Sequence, residues 1–507
     1  MSEGTTSTGR IRRSGRTDRM ARRAAGPTVD PCPPGAPGGR YRPLRSMEVE
    51  RIVAAALELL ATLGMGEAPD RLRADLLRAG AREAGDRVLL PEALVREAIA
   101  AAPRRIALHG RAPGRDVVLG GDAVHFGTGG AAVQALDLDT GLYRPSTLRD
   151  LRDFTRLQDA LPHISWFTRC CIATDLEGPW ALDAHTAHAL LRHTTKPVAT
   201  AFTLEEHVAP IAAALDIAAG GDFAARPFLK AHVSPVISPM RYGEDAVDVV
   251  YACIRHGIPL SCITAAQSGA TAPATLAGFL VQSLAETLAS LAMVHAIRPG
   301  FPMVFSNWPL VIDLRSGAFA GGGGEIAVLN AASAQISNAL GLVSGVAASM
   351  TDAKAVDAQA GAEKALTALA AGLAGGNLVY ESAGMTASLL GASFEAFVLD
   401  DDMLAGVLRV LRGIEVTDAT LDLAPIRAAV LGEGHFLGAP ETLAAMERDY
   451  HYPALADRDA PSAWAEAGAP DAWSRAKARA RHLLATHHPE GLTPAQDRAV
   501  RAALAIP

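Results

Sequence analysis

Short apolar runs rich in β-branched residues alternate with longer Ala- and Leu-rich stretches along most of the chain. Eight of the short runs have strand character, at residues 124–127, 164–169, 197–203, 228–233, 259–264, 302–306, 342–347 and 378–381. Helix-favouring stretches separate most of them, at 147–160, 180–193, 204–219, 243–256, 271–297, 324–340 and 358–374. A strand, a crossover helix and a parallel strand form the repeating part of an α/β sheet, and eight such repeats close a barrel. The pattern therefore predicts an α/β fold, a (β/α)8 TIM-type barrel over residues 121–400.

The clearest repeat spans residues 342–382. A polar loop, Ser349 to Lys354, follows its strand, and Gly375-Gly376 ends its helix with residues that tolerate a left-handed cap. Before the barrel, Ser46 is placed to cap a helix with Ile52, Val53, Ala56, Leu59 and Leu60 on one face. Further helices are expected near 69–79 and 91–101, and residues 106–108 and 116–119 form a hairpin. Residues 41–120 thus make an N-terminal helical layer and a hairpin leading into the barrel. Residues 401–507 make a C-terminal helical extension, with 400–402 capping a helix to Leu411 and an Arg-rich amphipathic helix at 471–486. Helices beyond a closed barrel pack outside it or form an oligomer contact, and a homo-oligomer is expected.

Composition changes this picture at one end. Seven arginines lie between Arg10 and Arg23, followed by five prolines up to Pro37, which assigns residues 1–40 to a disordered basic tail. The net charge of −7 over 507 residues gives no general attraction for nucleic acid. No apolar run of ~18–20 residues is free of polar interruption, so no membrane span is expected. Cys32, Cys170, Cys171, Cys253 and Cys262 lack metal-ligand spacing and suit buried thiols of a cytoplasmic protein, with no metal site.

In a barrel of this kind, chemistry collects where the strands end. Those positions offer Phe126, Arg169, Phe202, His232, Thr264, Asn307, Trp308, Asp352, Lys354, Tyr380 and Glu381 as substrate-binding candidates. Two features carry weight. The chain is only 5% aromatic, yet Phe126, Trp166, Phe167, Phe202, Phe305, Trp308 and Tyr380 lie on or beside the strands. Aromatic faces attract cations, quaternary ammonium groups above all, although they also fill barrel layers. Arg169 or Lys354 would partner a substrate carboxylate. The plainer alternative makes Asp357 a helix cap and Lys354 a solvated charge. Lys230, mid-strand in the fourth repeat, leaves a Schiff-base lyase or aldolase open as a second reading. No catalytic nucleophile with a supporting base stands out.

Several segments together resemble the trimethylamine methyltransferase family, within it the pyrrolysine-free, glycine betaine methyltransferase-like branch. They are Arg42-Pro43-Leu44, residues 136–147 (LDLDTGLYRPST), Thr195-Lys196-Pro197, residues 271–278 before Ala285-Glu286, residues 351–367 (TDAKAVDAQAGAEKALT), residues 393–402 and residues 434–437 (GHFL). The resemblance implies transfer of a methyl group from a methylated, quaternary amine such as glycine betaine to the cobalt of a corrinoid on a separate protein, in one-carbon metabolism. It also leaves room for a non-catalytic relative that only binds a quaternary amine. The residues after Gly438 lack a His expected before Thr442, which bears on the substrate.

Overall fold

The computed structural model describes Asp30 and residues 32–507. It divides into two units, one holding residues 34–412 and 453–507, the other residues 1–33 and 413–452.

The larger unit is the expected barrel. Its strands are β1 (His125–Thr128), β2 (Phe167–Thr168), β3 (Val198–Thr200), β4 (Leu229–Val233), β5 (Leu260–Thr264), β6 (Met303–Asn307), β7 (Ser344–Ala347) and β8 (Leu378–Ala383). All neighbours pair in parallel, from β2 through β7 to β8 and on to β1. The Ser165 amide donates to the Phe126 carbonyl at 2.8 Å, and Gly127 bridges Trp166, which joins β1 to β2 and closes the ring. Each strand has a following helix: α1 (Leu148–Asp159), α2 (Pro179–His193), α3 (Val208–Ala219), α4 (Glu244–Arg255), α5 (Leu276–Ile297), α6 (Gly324–Ala339), α7 (Ala358–Ala374) and α8 (Phe394–Arg412). Strands buried on both faces carry continuous apolar runs, which is why pattern alone located all eight.

The hairpin of Ile106–Leu108 and Val117–Leu119 fills the bottom of the barrel. Its four apolar side chains join one core cluster with Val304 and Leu378 from the strands and Val343 just before β7. Helices Ser46–Thr62, Asp70–Arg78 and Glu92–Ala101 form the N-terminal layer, packed on α5. Helix α5 is 22 residues long and apolar enough to cross a membrane, and 78% of its most apolar window is buried in the protein.

Three expectations need correction. Residues 1–29 and 31 of the basic tail lie outside the described residues. Residues 34–40 are tied down: Gly35 and Gly38 donate to the Val124 and Asp122 carbonyls at 2.8 Å, and Arg40 to that of Leu373 at 2.7 Å. Asp400 to Asp402 cap no helix, because α8 already begins at Phe394. Their carboxylates serve other elements instead: Asp400 meets Lys364 of α7 at 2.9 Å, Asp401 accepts from the His163 amide, and Asp402 from the Ala454 amide. The third is an omission. The loops after β1 and β8 pair at the barrel mouth in a four-stranded sheet of Met385–Thr386, Gly391–Ser393, Gln134–Leu136 and Tyr143–Pro145.

Candidate active site

Successive strand residues point to opposite sides, so each barrel strand has one lumen-facing set. On β4 that set is Lys230 and His232. Lys230 is fully buried, with its Nζ 2.6 Å from His232 Nε2 and 3.1 Å from the Tyr380 hydroxyl of β8. Among the described residues no carboxylate approaches it. Burial pushes its pKa well below the ordinary lysine value, and burial, with Lys230 and Arg169 nearby, pushes His232 well below the usual imidazole value. His232 is therefore neutral at pH 7, and burial disfavours the charged form of Lys230. The Thr168 hydroxyl donates to the Ala199 carbonyl at 3.2 Å, so His232 Nδ1, 3.3 Å away, is the donor to Thr168. That tautomer leaves Nε2 as the acceptor for the lysine amine.

Tyr380 is the hub of the lumen. Its hydroxyl donates to Ser261 of β5 at 2.6 Å and lies 3.4 Å from Ser306 of β6. Burial raises its pKa above the usual phenol range, so it stays protonated. Its ring meets Trp166 edge-on at 4.8 Å and Trp308 at 4.7 Å. The Lys230 amine sits 4.6 Å from the Trp166 ring and 4.7 Å from that of Tyr380. Trp308 follows β6 and, with Leu310, Val311, Phe319 and Leu389, packs against a buried apolar cluster of Ile326, Ala347 and Met350. Its indole Nε1 is buried and has no partner among the described residues. Beside the lumen, at the ends of β3 to β5, a cleft of ≈ 320 Å³ is lined by Phe202, Thr203, His232, Val233 and Ile263.

Two charged residues stand at this mouth. Arg169, just after β2, has no carboxylate within salt-bridge distance among the described residues. Burial lowers its pKa, with Asp183 opposing the shift, and its charge reaches His232. Glu381 interrupts β8 with a φ of +63°. One oxygen accepts from the Gly130 amide at 3.3 Å, and the other, buried, has no partner among the described residues. Burial raises its pKa to about 8. A Cβ on Gly129 would fall 1.9 Å from that free oxygen, so only glycine fits beside it.

The structure thus brings together Arg169, Phe202, His232, Trp308, Tyr380 and Glu381. It places the other five candidates elsewhere. Phe126 faces out of the barrel, where a Cβ on Gly372 of α7 would touch both its ring and Leu411 of α8. Asn307 also faces outward, donating to Ser283 of α5 at 3.3 Å, and its register partner Thr264 lies on the same side. Asp352 spends its carboxylate on the Gly321 and Gly322 amides at 3.0 and 3.4 Å and on the Ser388 hydroxyl at 2.8 Å. Lys354 is exposed and folds back on the Asp352 carbonyl. Strand-end position alone selected these five. Applying the two-residue alternation outward from His232 exposes Lys230, and the same parity finds Ser261, Ser306 and Trp166.

No side chain here is an activated nucleophile. Ser261 and Ser306 both turn to Tyr380. Cys170, Cys253 and Cys262 are buried, which pushes their thiols up, away from the reactive thiolate. Lys230, fully enclosed and engaged by two partners, is not open to a carbonyl substrate as a Schiff-base lysine must be. What the lumen does offer is an aromatic wall, an amine–imidazole–phenol network and two underused ionisable groups.

An α/β barrel with this lumen is a scaffold for binding a small molecule. Comparison with known proteins gives that class a name. The profile of the family described as "Trimethylamine methyltransferase (MTTB)" matches residues 12–505, and the chain belongs to this corrinoid-dependent methyltransferase family. It is 29% identical over 470 residues to the glycine betaine methyltransferase of Desulfitobacterium hafniense (strain Y51), covering 92% of this chain and 97% of that one. It is 31% identical over 407 residues to the trimethylamine methyltransferase MttB of Desulfitobacterium hafniense (strain DSM 10664 / DCB-2), covering 80% and 81%. The MttB of Methanosarcina barkeri is 30% identical over 448 residues, covering 87% and 90%.

Proposed function

We propose that this methyltransferase takes its methyl group from a quaternary amine bearing a carboxylate, of the betaine type, and passes it to a corrinoid held by a separate protein. The observation that carries the reading is the aromatic wall of Trp166, Tyr380 and Trp308 beside Arg169, a guanidinium with no carboxylate within salt-bridge distance among the described residues. Aromatic faces suit the ammonium, and a planar guanidinium suits the carboxylate. The reduced corrinoid supplies the cobalt nucleophile, which fits a lumen without one of its own.

The remaining work falls to this chain's residues. Trp308 and Tyr380 hold the ammonium so that one methyl points to the open mouth, and Arg169 fixes the other end of the molecule. Phe202 and His232 line the adjoining cleft. Glu381 faces the cation as a carboxyl that can yield its proton when positive charge arrives. A quaternary amine leaves as a neutral tertiary amine, so no general acid is required. The apolar cluster beside Trp308 keeps water from that wall of the site. Five buried, unbridged cysteines accord with a cytoplasmic setting for this chemistry.

Incubating the chain with cob(I)alamin and a panel of methylated amines tests the reading. Glycine betaine or a related betaine should disappear and its tertiary amine appear by mass spectrometry. If only trimethylamine, or none of the panel, is demethylated, with or without a cognate corrinoid protein, the reading fails.

A further inference from the structure

The tip of the mouth hairpin, between Met385–Thr386 and Gly391–Ser393, holds three successive non-glycine residues in left-handed backbone: Ala387 at φ +50°, Ser388 at +56° and Leu389 at +70°. Only a few per cent of non-glycine residues adopt that conformation, and then mostly singly. Such a turn persists where its surroundings over-determine it. Here they do so from one place, the loop after β7. The Ala387 amide donates to the Ala353 carbonyl at 2.8 Å, the Ser388 amide to that of Thr351 at 3.0 Å, and the Ser388 hydroxyl to Asp352 Oδ1 at 2.8 Å. The same carboxylate accepts from the Gly321 and Gly322 amides, at the end of the loop after β6, at 3.0 and 3.4 Å. Three consecutive loops of the barrel mouth thus meet on one side chain.

We infer that Asp352 is a positioning residue of the site: by gripping the strained turn and the β6 loop together, it sets the stance of Trp308 and, through Trp308, the hold on the substrate ammonium. Leu389 adjoins Ser388, and Phe319 lies two residues before Gly321. Both pack with Trp308 on the cluster of Ile326, Ala347 and Met350. Asp352 therefore fixes the two loops that bring these apolar neighbours to the tryptophan wall. Its own loop does not need the carboxylate. Glu363 already takes the Thr351 hydroxyl at 2.6 Å and the Asp352 amide at 2.9 Å, and Asp357 caps α7. The Trp308 indole has no polar anchor among the described residues, so its ring stands where packing puts it.

Fluorine NMR of the full chain labelled with fluorotryptophan reads the Trp308 ring directly, its signal assigned by Trp308→Phe among the five tryptophans. Asp352→Ala should shift or split that signal. Ser388→Ala, which removes one hydroxyl only, should move it the same way by less. Adding Ala387→Gly to Asp352→Ala should bring it back towards its wild-type position, because glycine takes left-handed backbone without strain. A Trp308 signal that ignores both Asp352→Ala and Ser388→Ala overturns the inference, as does one that Ala387→Gly leaves displaced. The kinetic arm rests on the betaine reading. Asp352→Ala should raise KM for glycine betaine about 3–10-fold, within what loss of a cation–aromatic contact gives, and leave kcat within about 2-fold. In a Trp308→Ala background it should add nothing, and additive losses would show that Asp352 does not act through Trp308. If the wild-type chain demethylates no betaine, the betaine reading fails, and the fluorine spectrum still decides the role of Asp352.

Discussion

At the scale of single residues, Glu381 stands apart. A non-glycine residue in the left-handed region costs about 1–3 kcal/mol and persists where its surroundings over-determine it. Here the surroundings also raise its pKa to about 8 from an ordinary 4.5, through burial. The folded chain thus keeps a proton that the unfolded chain loses near pH 4.5, and stability falls as pH rises from there to about 8. Glu381→Gln should melt with a flatter pH dependence than wild type over this window, as measured by calorimetry. Equal slopes would place the ionisation elsewhere. Arg169 and Trp308 part company in kinetics on the proposed reaction. Arg169→Ala should raise KM for a betaine by about 10–100-fold, yet leave a quaternary amine without a carboxylate little affected. Trp308→Ala should weaken both alike, by about 0.5–2 kcal/mol of cation–aromatic attraction, read as binding by calorimetry.

At the scale of elements, the segments that made the chain recognisable are mostly clamps. Arg144, in the 136–147 segment, joins Asp137 at 2.9 Å to Asp150 of α1 at 2.6 Å. Lys196 donates to the carbonyls of Gln158, Leu161 and Ile164 at 2.5–2.7 Å, fixing the turn into β2. Glu286 of α5 holds the Ser238 hydroxyl at 2.6 Å and the Met240 amide at 2.8 Å. In the 351–367 segment, Glu363 accepts from the Thr351 hydroxyl and the Asp352 amide, while Asp357 caps α7 as its position foretold. Lys364 runs beneath the same loop to Asp400. Breaking this buried pair with Lys364→Met should cost about 3–5 kcal/mol, because Asp400 would be left enclosed and unpaired. A urea titration measures it, and a cost below about 1 kcal/mol would mean that water or a neighbour takes over.

The whole molecule shows what a sequence can and cannot disclose. Eight strands and their helices were legible because burial on both faces writes itself as uninterrupted apolar runs. The lumen was half legible. Arg169, His232, Trp308, Tyr380 and Glu381 follow from strand order, but Phe126 and Asn307 do not, since a shift of one residue turns a side chain to the other face. The hydrogen bonds that Tyr380 accepts from Lys230, donates to Ser261 and shares with Ser306 join strands up to 150 residues apart, and no local pattern encodes them. The hairpin plug belongs to this scale too. Leu108→Ala should destabilise the entire barrel by about 2–5 kcal/mol, seen as one cooperative shift in thermal unfolding.

That plug has a kinetic consequence. With its floor filled by Ile106, Leu108, Val117 and Leu119, the barrel is a vessel with one neck. On the proposed reaction, amine and corrinoid carrier must use the same opening, and the smaller guest has to be inside before the larger one stops the neck. Turnover then follows a compulsory order, with the demethylated amine held until the carrier withdraws. Initial-rate patterns should be those of ordered addition, amine first. An excess of carrier should slow the enzyme by sealing it empty.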